Sequence, residues 1–231
     1  MKIDKYISES GFCSRRAAIR FIESGKVILN GKIGRIKDEV TDKDIIHVNG
    51  EQINSTKRNL VYIAYHKPKG IECTTEKITG NIIDAIGHPE NIFPVGRLDK
   101  NSEGLILLTN HAELINKITH SDNDHEKEYI VTLNLPVRKK FLEELAEGTE
   151  LDGIKTKPCK VELVPETKRV FRIILTQGMN RQIRKLCGKA GYQVIKLLRV
   201  RVMNIQLDKL KPGEWRDLSE DELTQLFKEI K

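Results

Sequence analysis

Apolar residues near the start of the chain recur at helical spacing. Ile3, Tyr6 and Ile7 fall at i, i+3 and i+4, one face of a short helix that Gly11 ends. Ala18, Ile19 and Ile22 repeat that spacing in a second helix, with Ser14 placed to cap its start and Gly25 its end. Val27 to Leu29 then runs into Asn30-Gly31, and Ile45 to Val48 into Asn49-Gly50, dipeptides that close tight hairpins because both residues tolerate a positive φ. Two helices and a few short strands make a small unit over residues 1–54. The polar stretch Asn54 to Asn59 follows it, and a linker is expected at 55–60.

Beyond it the period changes from helical to strand-like. Strands are predicted over Val61 to His66, Leu105 to Thr109, Lys127 to Asn134, Lys160 to Val164, Val170 to Thr176, Val194 to Leu198 and Val200 to Leu207. Helices are predicted over Ala112 to Thr119, Val137 to Glu147 and Arg181 to Lys189. A last helix starts after Ser219, where Ser219 and Glu222 form a capping box ahead of Leu223, Leu226 and Phe227. The strands do not alternate evenly with crossover helices. The expected class is therefore α+β, with a mixed, mostly antiparallel sheet flanked by helices over residues 61–231.

Composition narrows the setting. No apolar run approaches the roughly 20 residues of a membrane-spanning helix, and the charged, periodic start predicts no signal peptide. The four cysteines, Cys13, Cys73, Cys159 and Cys187, form no C-x-x-C pair, which suggests neither a disulfide framework nor a zinc site and points to a reduced, cytoplasmic protein. A formal charge of +7 favours a polyanionic partner. Its distribution says more: residues 168–201 hold ten Lys and Arg and no Asp or Glu, whereas the last stretch is acidic. Solvated surfaces usually mix both signs.

Several residues could carry chemistry, and each has a plainer meaning. Arg15, Arg16 and Arg20 lie on the polar side of the second helix, a face that could dock on phosphates or merely be solvated. Asp99 follows Gly96-Arg97-Leu98 and precedes the apolar run Leu105 to Leu108. Such an aspartate is commonly a turn residue, but it could supply a carboxylate nucleophile or base beside a rigid strand. Tyr129 could be simple strand packing, and Arg181 and Arg184, three apart on a helix, could face solvent. His120, Asp122, Asp124 and His125 lack a compelling metal-ligand spacing, so no metal is expected.

Longer strings are more specific. Ile3-Asp4-Lys5-Tyr6-Ile7, Cys13-Ser14-Arg15-Arg16-Ala17, Gly25-Lys26-Val27 and Val48-Asn49-Gly50 resemble the S4 RNA-binding domain. Gly96-Arg97-Leu98-Asp99, then Ser102-Glu103-Gly104-Leu105 and Leu107-Leu108-Thr109-Asn110, resemble the catalytic motif of the RsuA-like pseudouridine synthases, which carry an S4 domain ahead of the catalytic one. Asp124 to Tyr129 and Gly178 to Leu186 are similar to that family's tyrosine segment and basic helix. His111-Ala112-Glu113 and Thr176-Gln177-Gly178 depart from it, where a glycine-containing turn and a Glu-Gly pair are common.

The resemblance implies an enzyme that isomerises a uridine of 23S ribosomal RNA to pseudouridine without a cofactor, with a tRNA as a second candidate substrate. It implies Asp99 as the essential carboxylate, Arg184 as its paired cation, Tyr129 stacking on the flipped uracil and moving protons, and Arg97 filling the space left by the extruded base. Whether Asp99 attacks sugar or base, or works through elimination, stays open. Arg15, Arg16, Arg20, Lys26, Arg181, Lys185, Arg199 and Arg201 are expected on RNA, and the protein is expected to be monomeric and cytoplasmic. The competing reading is a non-catalytic S4-type RNA-binding factor in ribosome assembly. A retaining glycosidase is disfavoured, since the candidate site offers one acid among cations.

Overall fold

The computed structural model describes residues 1–13, 15–53, 60–76, 78–120 and 123–230. The predicted cap at Ser14 and most of the predicted linker, 55–59, lie outside them. The chain gathers into two compact units, one of Met1–Val61 with His88–Phe93 and Thr109–Glu113, the other of Tyr62–Gly87, Pro94–Leu108 and Leu114–Lys231.

In the first unit, α1 (Ile3–Glu9) and α2 (Arg15–Glu23) precede a four-stranded antiparallel sheet of β1 (Val27–Leu29), β2 (Lys32–Ile33), β3 (Ile46–Val48) and β4 (Glu51–Ile53), ordered β2-β1-β3-β4. Most of the predicted stripes are buried: Ile3, Tyr6 and Ile7 from α1 and Ala18 and Ile22 from α2 close on Val27, Ile46 and Val48, while Ile19 is only partly buried. Both predicted hairpin turns have positive φ at each central residue, Asn30 (48°) with Gly31 (81°) and Asn49 (52°) with Gly50 (88°).

The second unit is built on a nine-stranded sheet among the described residues. Its elements in chain order are β5 (Tyr62–Lys67), α3 (Ile82–Ile86), β6 (Phe93–Val95), β7 (Glu103–Thr109), α4 (Ala112–Thr119), β8 (Lys127–Leu133), α5 (Lys139–Glu147), the small hairpin β9 (Glu150–Leu151) and β10 (Ile154–Lys155), β11 (Lys160–Leu163), β12 (Val170–Leu175), α6 (Gln182–Lys189), β13 (Val194–Val202), β14 (Ile205–Gln206), β15 (Trp215–Asp217) and α7 (Glu220–Glu229). The sheet order is β11-β12-β8-β13-β7-β5-β15, with β14 on β13 and β6 on β7. β11–β12, β12–β8, β8–β13 and β5–β15 pair antiparallel and β13–β7 parallel, the mixed sheet expected from the pattern. The capping box at Ser219 and Glu222 is present, and Leu226 of α7 is fully buried.

One predicted boundary is wrong. The sequence reads as two strands split near Arg199, but β13 runs through to Val202, because Arg199 is taken into the sheet with its Nε donating to the Leu105 carbonyl at 2.6 Å. The chain turns only at Met203, which has a positive φ of 51°, before β14.

The parallel contact of β13 with β7 depends on Gly104, which pairs with Arg199. Gly104 has φ +112°, and a Cβ there would stand 2.2 Å from the Arg199 carbonyl oxygen. Gly104→Ala is expected to cost about 3 kcal/mol in a urea melt, through overpacking and a backbone angle unsuited to alanine. Gly188→Ala is the control: nothing would lie within 4 Å of its Cβ inside α6. That change should be neutral or stabilise by up to about 1 kcal/mol.

Candidate active site

Residues i and i+2 of a strand share a face, so Lys127 and Tyr129 of β8 point the same way. Across the ladders, Leu175 stands opposite Lys127, Arg199 opposite Tyr129, and Val202 opposite Lys127 on the other side. All five of these residues line one cleft of about 580 Å³ in the second unit. One wall is the connection Gly96 to Ser102, and the other is Thr176 to Asn180 with the start of α6. Asp99, Tyr129, Arg97, Arg181 and Arg184 therefore meet in a single cavity despite their separation in sequence.

Asp99 sits in the connection ahead of β7, and the backbone around it is pinned at several points. Ser102 N donates to the Asp99 carbonyl at 3.0 Å, closing a turn. The preceding residue, Leu98, is buried and gives its N–H to Cys73 Sγ at 3.3 Å. Lys67, wholly buried at the end of β5, donates from Nζ to the carbonyls of Pro68 (2.8 Å) and Ile71 (2.9 Å), with that of Lys100 at 3.4 Å. From the other side Arg184 donates through Nη2 to Asn101 O at 2.8 Å and to Ser102 Oγ at 3.4 Å, and through Nη1 to Val194 O at 3.2 Å.

These contacts correct the expectation that Arg184 pairs directly with Asp99. Its donors are turned onto the loop that carries Asp99, so it holds the carboxylate in place through the backbone. The guanidinium in ion-pair range is that of Arg181, with Nη1 3.8 Å from Asp99 Oδ2. Arg181 adopts a left-handed φ of 53° at the residue before α6, a conformation that costs a non-glycine residue energy and is typical of functional sites. Arg97, exposed, and Asp99 flank the buried Leu98 and both reach the cleft.

Residues 61–189 match the family model described as RNA pseudouridylate synthase, and residues 1–46 match the S4 domain. The chain belongs to the RNA pseudouridylate synthase family. Over its whole length the synthase is 51% identical to the dual-specificity RNA pseudouridine synthase RluF of Escherichia coli (strain K12), spanning 79% of that protein. It is 33% identical to ribosomal large subunit pseudouridine synthase B of Bacillus subtilis (strain 168), over 97% of this chain and 95% of that one. A crystal structure of pseudouridylate synthase overlays with a TM-score of 0.72 at 28% identity, covering 98% of this chain and 99% of the other. The synthase is thus an RNA-modifying isomerase, RluF-like within the RsuA type.

The cations expected on RNA are not equivalent in the synthase. Arg16, Arg20 and Lys26 are exposed. Arg15 is tied through Nε to the buried Asp4 at 2.6 Å, joining α1 to α2. Lys185 pairs with Asp152, and Arg201 is held at 2.8 Å by both Glu126 and Glu128. Arg199, expected on phosphates, is only 3% exposed and forms part of the cleft floor, so it cannot meet a surface phosphate. His120, Asp124 and His125 join no group of three or more ligating residues among the described residues, and Asp122 lies outside them.

Lys67, Cys73, Lys127 and Gln182 of the cleft region escaped the sequence reading. For Lys127 a signal existed, since period two places it beside Tyr129. Burial, with the Arg199 charge adding to it, pushes Lys127 down to about 8. Burial likewise lowers Lys67, with Arg199 adding, while Cys73 and Asp99 oppose the shift. Arg184 is lowered by burial and by Arg181, with Asp99 again opposing.

A lysine depressed in the fold sheds its proton before the unfolded chain does. Between about pH 8 and the ordinary value of 10.5, the unfolded state therefore holds more protons, and folding stability rises with pH through that window. Lys127→Met is expected to melt above wild type at pH 7, with the margin narrowing as the pH passes from 8 to 10.5. Paired thermal melts across that range check this; a constant margin would show that Lys127 is not held neutral-prone by the fold.

Proposed function

We propose that this synthase isomerises a specific uridine of 23S ribosomal RNA to pseudouridine without a cofactor, with Asp99 as its essential carboxylate. The observation that carries the reading is the convergence of Asp99, the Tyr129 ring and a set of cations in one cleft sized for a single nucleotide. A base must leave its stack to enter such a site. Stacking on an aromatic ring is worth roughly 1–3 kcal/mol, comparable with the few kcal/mol that unstacking costs. Tyr129 takes the uracil face and moves protons, and Arg97, exposed at the cleft, enters the space the uridine vacates. Arg181 keeps the Asp99 charge company, and Arg184 positions the loop that presents it to the ribose.

Residues 1–54 dock on RNA as an S4 domain, joined by a linker at 55–60 to the catalytic domain at 61–231. Of the cations expected on RNA there, Arg16, Arg20 and Lys26 are exposed and form no ion pair among the described residues, which suits them to that task. The ribosomal target follows the name of the Bacillus subtilis relative, a ribosomal large subunit pseudouridine synthase, and the dual specificity in the name of the Escherichia coli relative supports a second RNA, for which a tRNA is the candidate. The reading places this action in the cytoplasm and on a monomer; no helix among the described residues is long and apolar enough to cross a membrane.

Pseudouridine mapping of ribosomal RNA from cells lacking the protein tests this. One 23S uridine is expected to lose its modification, to regain it with the wild-type gene and to stay unmodified with Asp99→Asn. The variant should still bind the RNA within about threefold of wild type, because the change alters chemistry and leaves the phosphate contacts intact. RNA binding without modification by the wild-type protein would leave a non-catalytic assembly factor.

A further inference from the structure

Three buried donors of the cleft lining have no acceptor: Gln182 Nε2, Arg184 Nε and Arg199 Nη2. Unpaired buried donors cost free energy, and these three belong to residues of one cleft lining, where acceptors of a bound guest could meet them. Arg199 and Lys127 define where that guest sits. Arg199 faces Tyr129 across the β8–β13 ladder, and Lys127 lies two residues before Tyr129 on the same face. The Arg199 fork is fixed through Nε to Leu105 O at 2.6 Å. Lys127 donates to His125 O at 3.0 Å and keeps further donors unspent. Neither has a carboxylate in ion-pair range among the described residues, although each feels the other's charge. Arg199 is buried and Lys127 half-buried, and two like charges held on one face destabilise a fold unless an anion joins them.

We propose that Lys127 and Arg199 form the seat of the detached uracil, donating to its carbonyl oxygens and balancing the negative charge it carries between bond breaking and bond making. This rests on the reaction proposed above. When the C1′–N1 bond breaks, its electron pair stays on the base and spreads over N1, O2 and O4. The C1′–C5 bond then forms, the C5 proton leaves to a base and N1 takes up a proton. No net electron or proton is gained, and the two cations transfer neither. The apolar neighbours Leu175, Leu197 and Val202 on the cleft lining suit a flat ring better than a phosphate.

Barbiturate, a uracil-like ring that is an anion at neutral pH, reads the seat directly by chemical-shift titration of RNA-free protein, with neutral uracil and inorganic phosphate as comparisons. Wild type is expected to prefer barbiturate to both by about tenfold or more, the scale of one charge-assisted hydrogen bond. Lys127→Met should abolish the preference and Lys127→Arg should keep most of it; should Lys127→Met fail to fold, Lys127→Gln reads the same loss. Absence of the preference in wild type, its survival in Lys127→Met, or equal binding of phosphate overturns the proposal. Because the readout needs no turnover, a wild-type protein that makes no pseudouridine would remove the reaction while barbiturate binding still judged the seat.

Discussion

Geometry in the cleft depends on two cations, Lys67 and Arg184, that hold the backbone just after Asp99, at the carbonyls of Lys100 and Asn101. A buried ammonium or guanidinium is costly unless its donors are satisfied, and each of these cations finds one acceptor in the Asp99 loop, Lys67 at Lys100 O and Arg184 at Asn101 O, beside others outside it at Pro68, Ile71 and Val194. The loop cannot move away without taking an acceptor from each. Leu98 adds a third anchor by filling the core and giving its amide to Cys73. Asp99 is in this way fixed by its neighbours' backbone more than by its own carboxylate.

The same cleft is short of negative charge. Its lining includes six Lys and Arg and two carboxylates, and Glu72 is already paired with Lys100 at 3.0 Å. Arg97, Lys127, Arg181, Arg184 and Arg199 thus surround Asp99 alone. For folding this is a liability, visible in the depressed Lys127 and Arg184. For binding a nucleotide whose base becomes anionic it is an advantage, because oriented donors already in place need no rearrangement when charge develops. Elsewhere on the same sheet the balance is restored: Arg201 meets Glu126 and Glu128, and Arg172 meets Glu128 and Glu162.

Much of this was legible in the residues. The helix stripes, both Asn-Gly turns, the capping box and the mixed sheet follow from period and turn chemistry. The charge-free-of-acid stretch 168–201 does enclose much of one wall and part of the floor of the cleft. What failed had a common cause: sequence shows that a residue is cationic and says nothing of what its donors find after folding. Arg199 reads as a surface phosphate ligand and as a strand breaker, yet the Leu105 carbonyl takes it inside. Arg184 reads as the partner of Asp99, yet the carbonyl of Asn101 claims it and Arg181 stands nearer the carboxylate. The short helix Ile82–Ile86 gave no periodic signal over five residues; its ends are defined by Asn81, whose side chain accepts from Asp84 N, and by the left-handed Gly87. Lys67, a charged residue closing an apolar strand, gave no hint of burial.

The central claim is that a uridine leaves its stack and lies in this cleft with its ribose at Asp99. A structure of the Asp99→Asn protein bound to its substrate RNA measures that directly. The account expects the target base turned out of the helix, its ring against Tyr129, its carbonyl oxygens within hydrogen-bond reach of Lys127 and Arg199, and C1′ beside residue 99. A target uridine still stacked in its RNA, or a base held away from Tyr129, would contradict it.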